Sequence, residues 1–137
     1  MTDTAAPPPT VWPAFRARDA RRVIRFLVDA LGFEETAVYG EGDTVAHAEL
    51  AWPPGGGVML GSVRDDPDDP WPAVPGSCAA YLVTDDADAV HARAVAAGAD
   101  VVQPVHDTSY GGREFAVRDP EGNLWSVGTY RGEPRRG

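Results

Sequence analysis

A strand, an aspartate and an amphipathic helix that ends at glycine occur twice in this sequence. Phe15–Asp19 leads into an apolar-periodic stretch that stops at Gly32, and Tyr81–Asp85 leads into another that stops at Gly98. The aspartate and the glycine are 13 residues apart in each copy, and the copies are offset by 66 residues. Aspartate favours a helix start because its carboxylate accepts the first free amide hydrogens, and glycine favours the left-handed helix end. The sequence therefore predicts a duplicated unit whose two copies face each other across a cleft.

Each half predicts the same order of elements, β-α-β-β-β. Apolar periodicity places the strands and the helix of the first half at 11–18, 19–32, 34–40, 45–52 and 57–63. The second half follows at 78–84, 86–97, 100–106, 113–118 and 124–131, with Asp119–Asn123 as the turn before the last strand. A helix covers one face of each sheet, so the other face is left to curve around a cavity. The predicted fold class is α+β, with two paired βαβββ modules forming a cup-shaped curved sheet and the helices outside.

The predicted modules belong to a single domain at 11–131, since neither half buries enough surface to fold alone. Module 1 spans about 11–63 and module 2 about 77–131. The linker at 64–76 holds four prolines and four aspartates, which excludes a helix or a central strand. Residues 1–10 predict a disordered or extended arm, and 132–137 predict a frayed tail.

Composition limits the partners that the chain can have. A net charge of −9 argues against nucleic acid, because phosphates require clustered cations. No apolar run approaches the roughly 20 residues that a membrane span needs, and the N-terminus lacks the pattern of a signal peptide. Cys78 is the only cysteine, which favours a reducing compartment. We expect a cytoplasmic protein with neither a nucleic-acid nor a membrane partner.

Several motifs together resemble the vicinal oxygen chelate superfamily, the group of glyoxalases, bleomycin-resistance proteins and extradiol dioxygenases. They are the helix end Leu31-Gly32-Phe33, the strand segments His47–Leu50 and Val58–Gly61, and the turn Asp119–Trp125. Their order and spacing match from about residue 11 to 131. The resemblance implies paired modules that form a cup, usually within a homodimer. The modules pair either within one chain or, in a domain-swapped dimer, between two chains. Enzymes of this family hold a divalent metal with four His, Glu or Gln side chains, and the substrate's adjacent oxygens complete the coordination.

The four positions where the resemblance implies metal ligands hold other residue types. Carried over to this chain, they are Trp12, its duplicate Cys78 at an offset of 66, Met59 and Ser126. Tryptophan cannot coordinate a metal, methionine and serine suit hard divalent ions poorly, and one thiolate does not make a zinc site. We therefore expect no metal and no cofactor, and the chain leans away from being an enzyme.

The remaining candidate ligands and the aromatic residues have alternative interpretations. A relocated metal site at His47, Glu49 and His106 is the less favoured alternative to structural roles. Cys78 is either a nucleophile or, as we favour, a buried thiol. Trp12 is expected to face the cup and offer a π surface to a ligand, and Tyr110 is expected to approach the ligand. Arg16, on the same face as Trp12, either meets an anionic or carbonyl group or is a solvated or dimer-interface residue. Other aromatic residues are expected at the cup mouth (Trp52 and Trp71) or on the helix side (Phe15, Tyr81 and Trp125).

These expectations lead to one functional hypothesis with two alternatives. The chain is predicted to be a metal-independent protein that sequesters an aromatic or peptide antibiotic, for drug resistance or for self-protection of a producer. The alternatives are a glyoxalase-like lyase, isomerase or dioxygenase with a displaced metal, and a sensor or carrier of a metabolite. The candidate ligand-binding residues are Trp12, Arg16, His47, Met59, Cys78, Tyr110 and Ser126.

Overall fold

The sequence repeat folds as two four-stranded sheets, each with one helix, in a computed structural model that describes residues 8–69 and 74–136. Module 1 contains β1 (Ala14–Ala17), α1 (Ala20–Phe26, extended by a wider π-helical turn at Leu27–Leu31), β2 (Glu34–Glu41), β3 (Thr44–Ala51) and β4 (Gly57–Ser62). Module 2 contains β5 (Ala79–Val83), α2 (Ala87–Ala96), β6 (Asp100–Asp107), β7 (Arg113–Arg118) and β8 (Leu124–Gly128). The predicted α+β class and the β-α-β-β-β order of both halves are confirmed.

Both sheets have the same strand order, which explains how each helix is placed. The first sheet runs β1-β4-β3-β2 and the second β5-β8-β7-β6. β1 is parallel to β4 and β5 is parallel to β8, whereas the other neighbours are antiparallel. The sheets are open and curved, and each helix covers one face of its own sheet, as the core contacts of its apolar side show.

The helix starts and ends follow the predicted capping chemistry, with one correction to the repeat. The carboxylate of Asp19 accepts the backbone N–H of Arg22, and Gly32 ends the first helix with a left-handed φ of 89°. In the second module Asp86, not Asp85, caps the helix by accepting the N–H of Ala89. The π-helical turn of the first module accommodates one additional residue. The helix starts are therefore offset by 67 residues, and only the terminal glycines by 66.

The helix-side faces of both sheets meet in one shared core. Phe15 of β1 packs edge-on against Trp125 of β8 with ring centroids 5.8 Å apart, and Phe33 lies 5.9 Å from the same indole. Trp52, expected at the cup mouth, is instead 8% exposed, and its Nε1 donates to the carbonyl oxygen of Val83 across the module boundary. Phe15 and Trp125 thus lie on the helix side as predicted.

Parts of the predicted arm and linker lie outside the described residues. These are residues 1–7 of the arm and residues 70–73, which include Trp71. The described parts of the linker form no helix or strand, and its Asp69 contacts Arg16 of β1. Across the described residues no helix has the length and apolar character required to cross a membrane.

Candidate functional site

The face of the first sheet that is turned away from the helix carries most of the predicted site residues. Strand register places Met59 between Ala14 and Glu49, and it places Arg16 beside Gly61 in the next row. We call this surface the first open face, and its members are Ala14, Arg16, His47, Glu49, Met59 and Gly61. Arg16 and Met59 therefore share one face of the sheet.

A cavity of about 170 Å³ lies on the first open face. Every residue that lines it belongs to module 1 or to the start of the linker: Ala14, Phe15, Arg16, Ala46, His47, Met59, Leu60, Gly61 and Arg64. Its wall is mainly apolar, with the cationic side chains at its edge. Sites for drug-sized ligands usually enclose roughly 300–1,000 Å³. The first open face is therefore large enough for only part of such a ligand.

Trp12 lies over the end of the first open face. The indole crosses the strand at Gly57, where an added Cβ would fall 2.7 Å from Cζ3 of Trp12. Glycine is therefore the only residue type that leaves space for the ring at this position. Gly57 and Met59 are two residues apart on β4 and therefore share a face of the sheet. The half-buried indole thus lies on the same face of the sheet as Met59, although Trp12 is not among the residues that line the cavity.

Arg16 is buried rather than solvated. Its Nη1 donates to the carbonyl oxygen of Ser62 and its Nη2 to Oδ2 of Asp69, both at 3.4 Å. The side chains of Arg16 and Asp69 are 7% and 11% exposed. Gly61 leaves space for the guanidinium, because a Cβ there would lie 3.4 Å from Nη1. The linker thus provides a carboxylate that neutralises the cation at the edge of the cavity.

His47 and Glu49 lie together on the first open face, and His106 does not join them. Nε2 of His47 is 2.9 Å from Oε2 of Glu49, and the ring of Tyr39 stacks on His47 with an interplanar angle of 13°. His106 belongs to β6 in the other sheet, where its Nε2 lies 3.9 Å from Oε1 of Glu114. Within one chain the three proposed ligands of a relocated metal therefore do not converge.

The second sheet has an equivalent surface, and here two predicted orientations are wrong. Tyr81 pairs with Ser126, and Glu114 pairs with Gly128, so these side chains share the face turned away from α2. We call this surface the second open face, consisting of Tyr81, His106, Glu114, Ser126 and Gly128. Tyr81 was expected on the helix side. The true offset of 67 explains the error, because a slip of one residue moves every strand side chain to the opposite face.

Cys78 is the second residue that this slip displaces. It packs against the shared core, and its backbone N–H donates to Oδ1 of Asn123. At an offset of 67 the duplicate of Trp12 is Ala79, so the expected placement of Cys78 opposite Trp12 is wrong. Burial, and then the negative charge of Asp119, raise the pKa of the Cys78 thiol. The thiol therefore remains protonated and is unsuited to nucleophilic attack.

A cluster of tyrosines around Glu114 was not identified as a unit from the sequence. Oε2 of Glu114 accepts a hydrogen bond from the phenol of Tyr110 at 2.9 Å, and Tyr110 packs edge-on against Tyr130 at 5.5 Å. Oη of Tyr81 accepts the backbone N–H of Tyr130. Of these residues, only Tyr110 was predicted to contact a ligand, and that prediction came from the resemblance to the superfamily. The alternation of β7 and β8 would have indicated Glu114 and Tyr81 if the offset had been set from the helix caps.

The donor atoms present do not fit the metal centre that the fold family implies. The corresponding positions are Trp12, Met59, Ala79 and Ser126, and the last two are related by the same offset of 67 to the first two. None supplies the nitrogen or carboxylate donors that such ions need. In addition, no three His, Cys, Asp or Glu side chains within 8–69 and 74–136 lie close enough to hold a metal ion.

The fold and the site define a member of a known superfamily. A family model described as the Glyoxalase/Bleomycin resistance protein/Dioxygenase superfamily matches residues 10–127. The chain therefore belongs to this superfamily, and the resemblance noted from its motifs is confirmed.

Two solved structures illustrate the similarity. TioX from Micromonospora sp. ML1 is 31% identical with a TM-score of 0.72, and the match covers 87% of this chain and 98% of TioX. A glyoxalase/bleomycin resistance protein from Streptomyces sp. CB03234 is 28% identical with a TM-score of 0.63, covering 83% of this chain and 94% of that protein.

Curated relatives match over a shorter stretch. CFP32 of Mycobacterium bovis and of Mycobacterium tuberculosis, provisionally designated a glyoxylase, is 41% identical over 58 residues. This stretch covers 42% of the chain and 22% of CFP32, so the chain matches about a fifth of the length of these relatives.

Proposed function

We propose that the protein binds an aromatic or peptide antibiotic and sequesters it without a metal, giving drug resistance or self-protection of a producer. The observation that carries the proposal is the composition of the first open face. Where the superfamily's enzymes hold metal ligands, this chain has the indole of Trp12 over Gly57 and the thioether of Met59 in the wall of an apolar cavity. Aromatic and sulfur-containing side chains favour planar apolar ligands through stacking and dispersion.

The size of that cavity supports a homodimer. About 170 Å³ lined by module 1 and the linker encloses only part of a drug-sized ligand, so a second wall is needed. In our proposal the second open face of a partner copy supplies this wall, which makes the dimer domain-swapped. The lone Cys78 is compatible with a reducing cytoplasm as the site of action.

Fluorescence titration tests the binding proposal. We expect an intercalating anthracycline or a bleomycin to quench tryptophan emission saturably. Trp12→Ala should weaken this binding by about tenfold or more, because a large aromatic contact is lost, and Trp12→Phe should retain part of it. Val95→Ala, at an exposed position of α2 away from the first open face, serves as the control. A panel of aromatic and peptide antibiotics that produces no saturable response would contradict the proposal.

One observation favours a second candidate, a metal-dependent lyase or dioxygenase. His47 and Glu49 are 2.9 Å apart on the first open face, and together they could supply two ligands. Two donors leave a site incomplete, since catalytic metal sites use about three protein ligands. Stoichiometric metal in the purified protein, required for turnover of an α-ketoaldehyde or a catechol, would favour this candidate.

A further inference from the structure

The carboxylate of Glu114 lies at the centre of the second open face, surrounded by neutral hydroxyl groups and aromatic rings. Its side chain is 20% exposed. Oε2 accepts the hydrogen bond from Tyr110, and Oε1 lies 3.9 Å from Nε2 of His106, beyond hydrogen-bond length. A carboxylate can accept about four hydrogen bonds, so this one has capacity for a further, cationic partner.

Arginine side chains do not supply that partner within the described residues. Arg113 directly precedes Glu114 in the sequence but forms ion pairs with Asp88 and Asp107, while Arg131 pairs with Asp85. Nδ1 of His106 is 3.0 Å from the carbonyl oxygen of Pro104 and must donate its hydrogen there, since a carbonyl only accepts. This bond fixes the imidazole and holds Nε2 at its distance from the carboxylate.

Tyrosine rings lie near the same carboxylate and remain accessible, with Tyr110 bonded to it and Tyr130 packed on Tyr110. Tyr81, Tyr110 and Tyr130 are 40%, 58% and 42% exposed. Gly128 allows the close approach of two of the groups, because a Cβ there would lie 2.8 Å from Cβ of Glu114 and 3.0 Å from Cζ of Tyr81. Exposed aromatic residues that cluster on one face mark an interaction site.

We propose that the second open face binds a protonated amine or quaternary ammonium group, held between the carboxylate of Glu114 and the rings of Tyr81 and Tyr110. A carboxylate beside aromatic faces is the arrangement that favours such cations over neutral groups of the same size. The hydrogen bond from Tyr110 to Glu114 raises the pKa of the Tyr110 phenol, which keeps the hydroxyl a donor and orients the carboxylate. The net charge of −9 also favours the approach of a cation.

This inference deepens the proposed function and rests on it, because it names a chemical group of the sequestered ligand. The ligand would carry a cationic amine in addition to the planar portion that contacts Trp12. A second copy of the chain covering the tyrosines is the competing explanation of their exposure, and the experiment below separates the two.

NMR titration with benzyltrimethylammonium chloride at constant ionic strength tests the proposal, with benzyl alcohol as the neutral comparison. We expect saturable shifts of the tyrosine ring protons with the cation, and Glu114→Gln should weaken its binding by about tenfold. Tyr110→Leu should weaken it by several-fold, because an aromatic face is lost. Glu35→Gln, an exposed substitution on β2, should leave the affinity unchanged.

The possible outcomes are distinct. Equal affinity of the cation for the Glu114→Gln variant and the wild type, or equal affinity of the wild type for benzyl alcohol and the cation, overturns the proposal. The proposal is also overturned if the Glu114 and Tyr110 substitutions change the mass of the dimer in light scattering but leave the affinity for the cation unchanged. The tyrosines are then an interface between copies. If the antibiotics bind in the Trp12 titration while the cation does not, the proposed function stands and only this inference fails. Near-ultraviolet circular dichroism of each variant confirms that it is folded.

Discussion

The carboxylate of Asp119 accepts a hydrogen bond from Nε1 of Trp125 at 3.0 Å, and this bond joins the last turn to the shared core. The same carboxylate accepts the backbone N–H groups of Glu121 and Asn123 and the side-chain amide of Asn123. Asp119 is 5% exposed. Four donors converging on a buried carboxylate make this turn a structural element of module 2, since each would otherwise lack a partner.

Substitution of Asp119 should therefore destabilise the fold. We expect Asp119→Ala to lower the free energy of unfolding by about 3 kcal/mol, because several buried donors lose their acceptor. Asp119→Asn should cost less, because one acceptor oxygen remains. Urea denaturation measures both effects, with Asp43→Asn at an exposed position as the control. An Asp119→Ala variant as stable as the wild type would show that water replaces the carboxylate.

The docking of the two modules depends in part on Trp52. Replacement by phenylalanine preserves the ring but removes the hydrogen bond from Nε1 to the carbonyl oxygen of Val83. We expect Trp52→Phe to lower the free energy of unfolding by about 1–2 kcal/mol, since a buried acceptor is left without its donor. Tyr39→Phe at an exposed position provides the control. Unchanged stability on urea denaturation would mean that this bond does not contribute to docking.

Cys78 should react slowly with alkylating agents. Its thiol pKa is raised by burial and by the charge of Asp119, so at pH 8 a smaller fraction is thiolate than in free cysteine. Only the thiolate attacks iodoacetamide, and we expect a rate below that of free cysteine by about tenfold, rising as the pH exceeds the raised pKa. The protein unfolded in urea should react at the ordinary rate. A native rate equal to that of free cysteine would refute the assignment of Cys78 to a protected thiol.

Ligand binding should not depend on metal. We expect protein purified without chelator to contain well below one Zn, Ni, Mn or Fe ion per chain by elemental analysis, because the described residues offer no cluster of three ligands. Treatment with EDTA should leave the antibiotic affinity unchanged. His47→Ala should likewise leave the metal content as it is. Affinity that disappears with EDTA and returns with added metal would contradict sequestration without a metal.

Local chemistry made much of the fold predictable. Asp19 and Gly32 define the first helix through capping and a left-handed end, and both were identified from the sequence. The Asp119–Asn123 turn and the burial of Trp125 were also predicted correctly, because turn residues and apolar alternation act over a few neighbours. The same alternation placed Trp12 and Arg16 on one side of the first sheet, and the resemblance to the superfamily implied a site position for Met59.

The second open face could not be predicted in the same way. A π-helical turn at Leu27–Leu31 adds one residue to the first module, and no residue type marks it in the sequence. This extra residue gives the terminal glycines an offset of 66, whereas the first strands and helix starts are offset by 67, which turns Tyr81 outwards and Cys78 inwards. The packing of both modules then decides that Trp52 is a core residue rather than part of a cup mouth.

The sequence by itself determined the duplicated βαβββ order, the helix caps and the loss of metal-ligating residue types, because these depend on local backbone chemistry and side-chain identity. Only the tertiary structure decided which side chains share a face. It moved His106 away from His47 and placed it beside Glu114, since strand pairing joins residues that are distant in the chain. The physical reason is that strand side chains alternate between the two faces of a sheet. A shift of one residue therefore turns core-facing side chains towards the site and site-facing side chains towards the core.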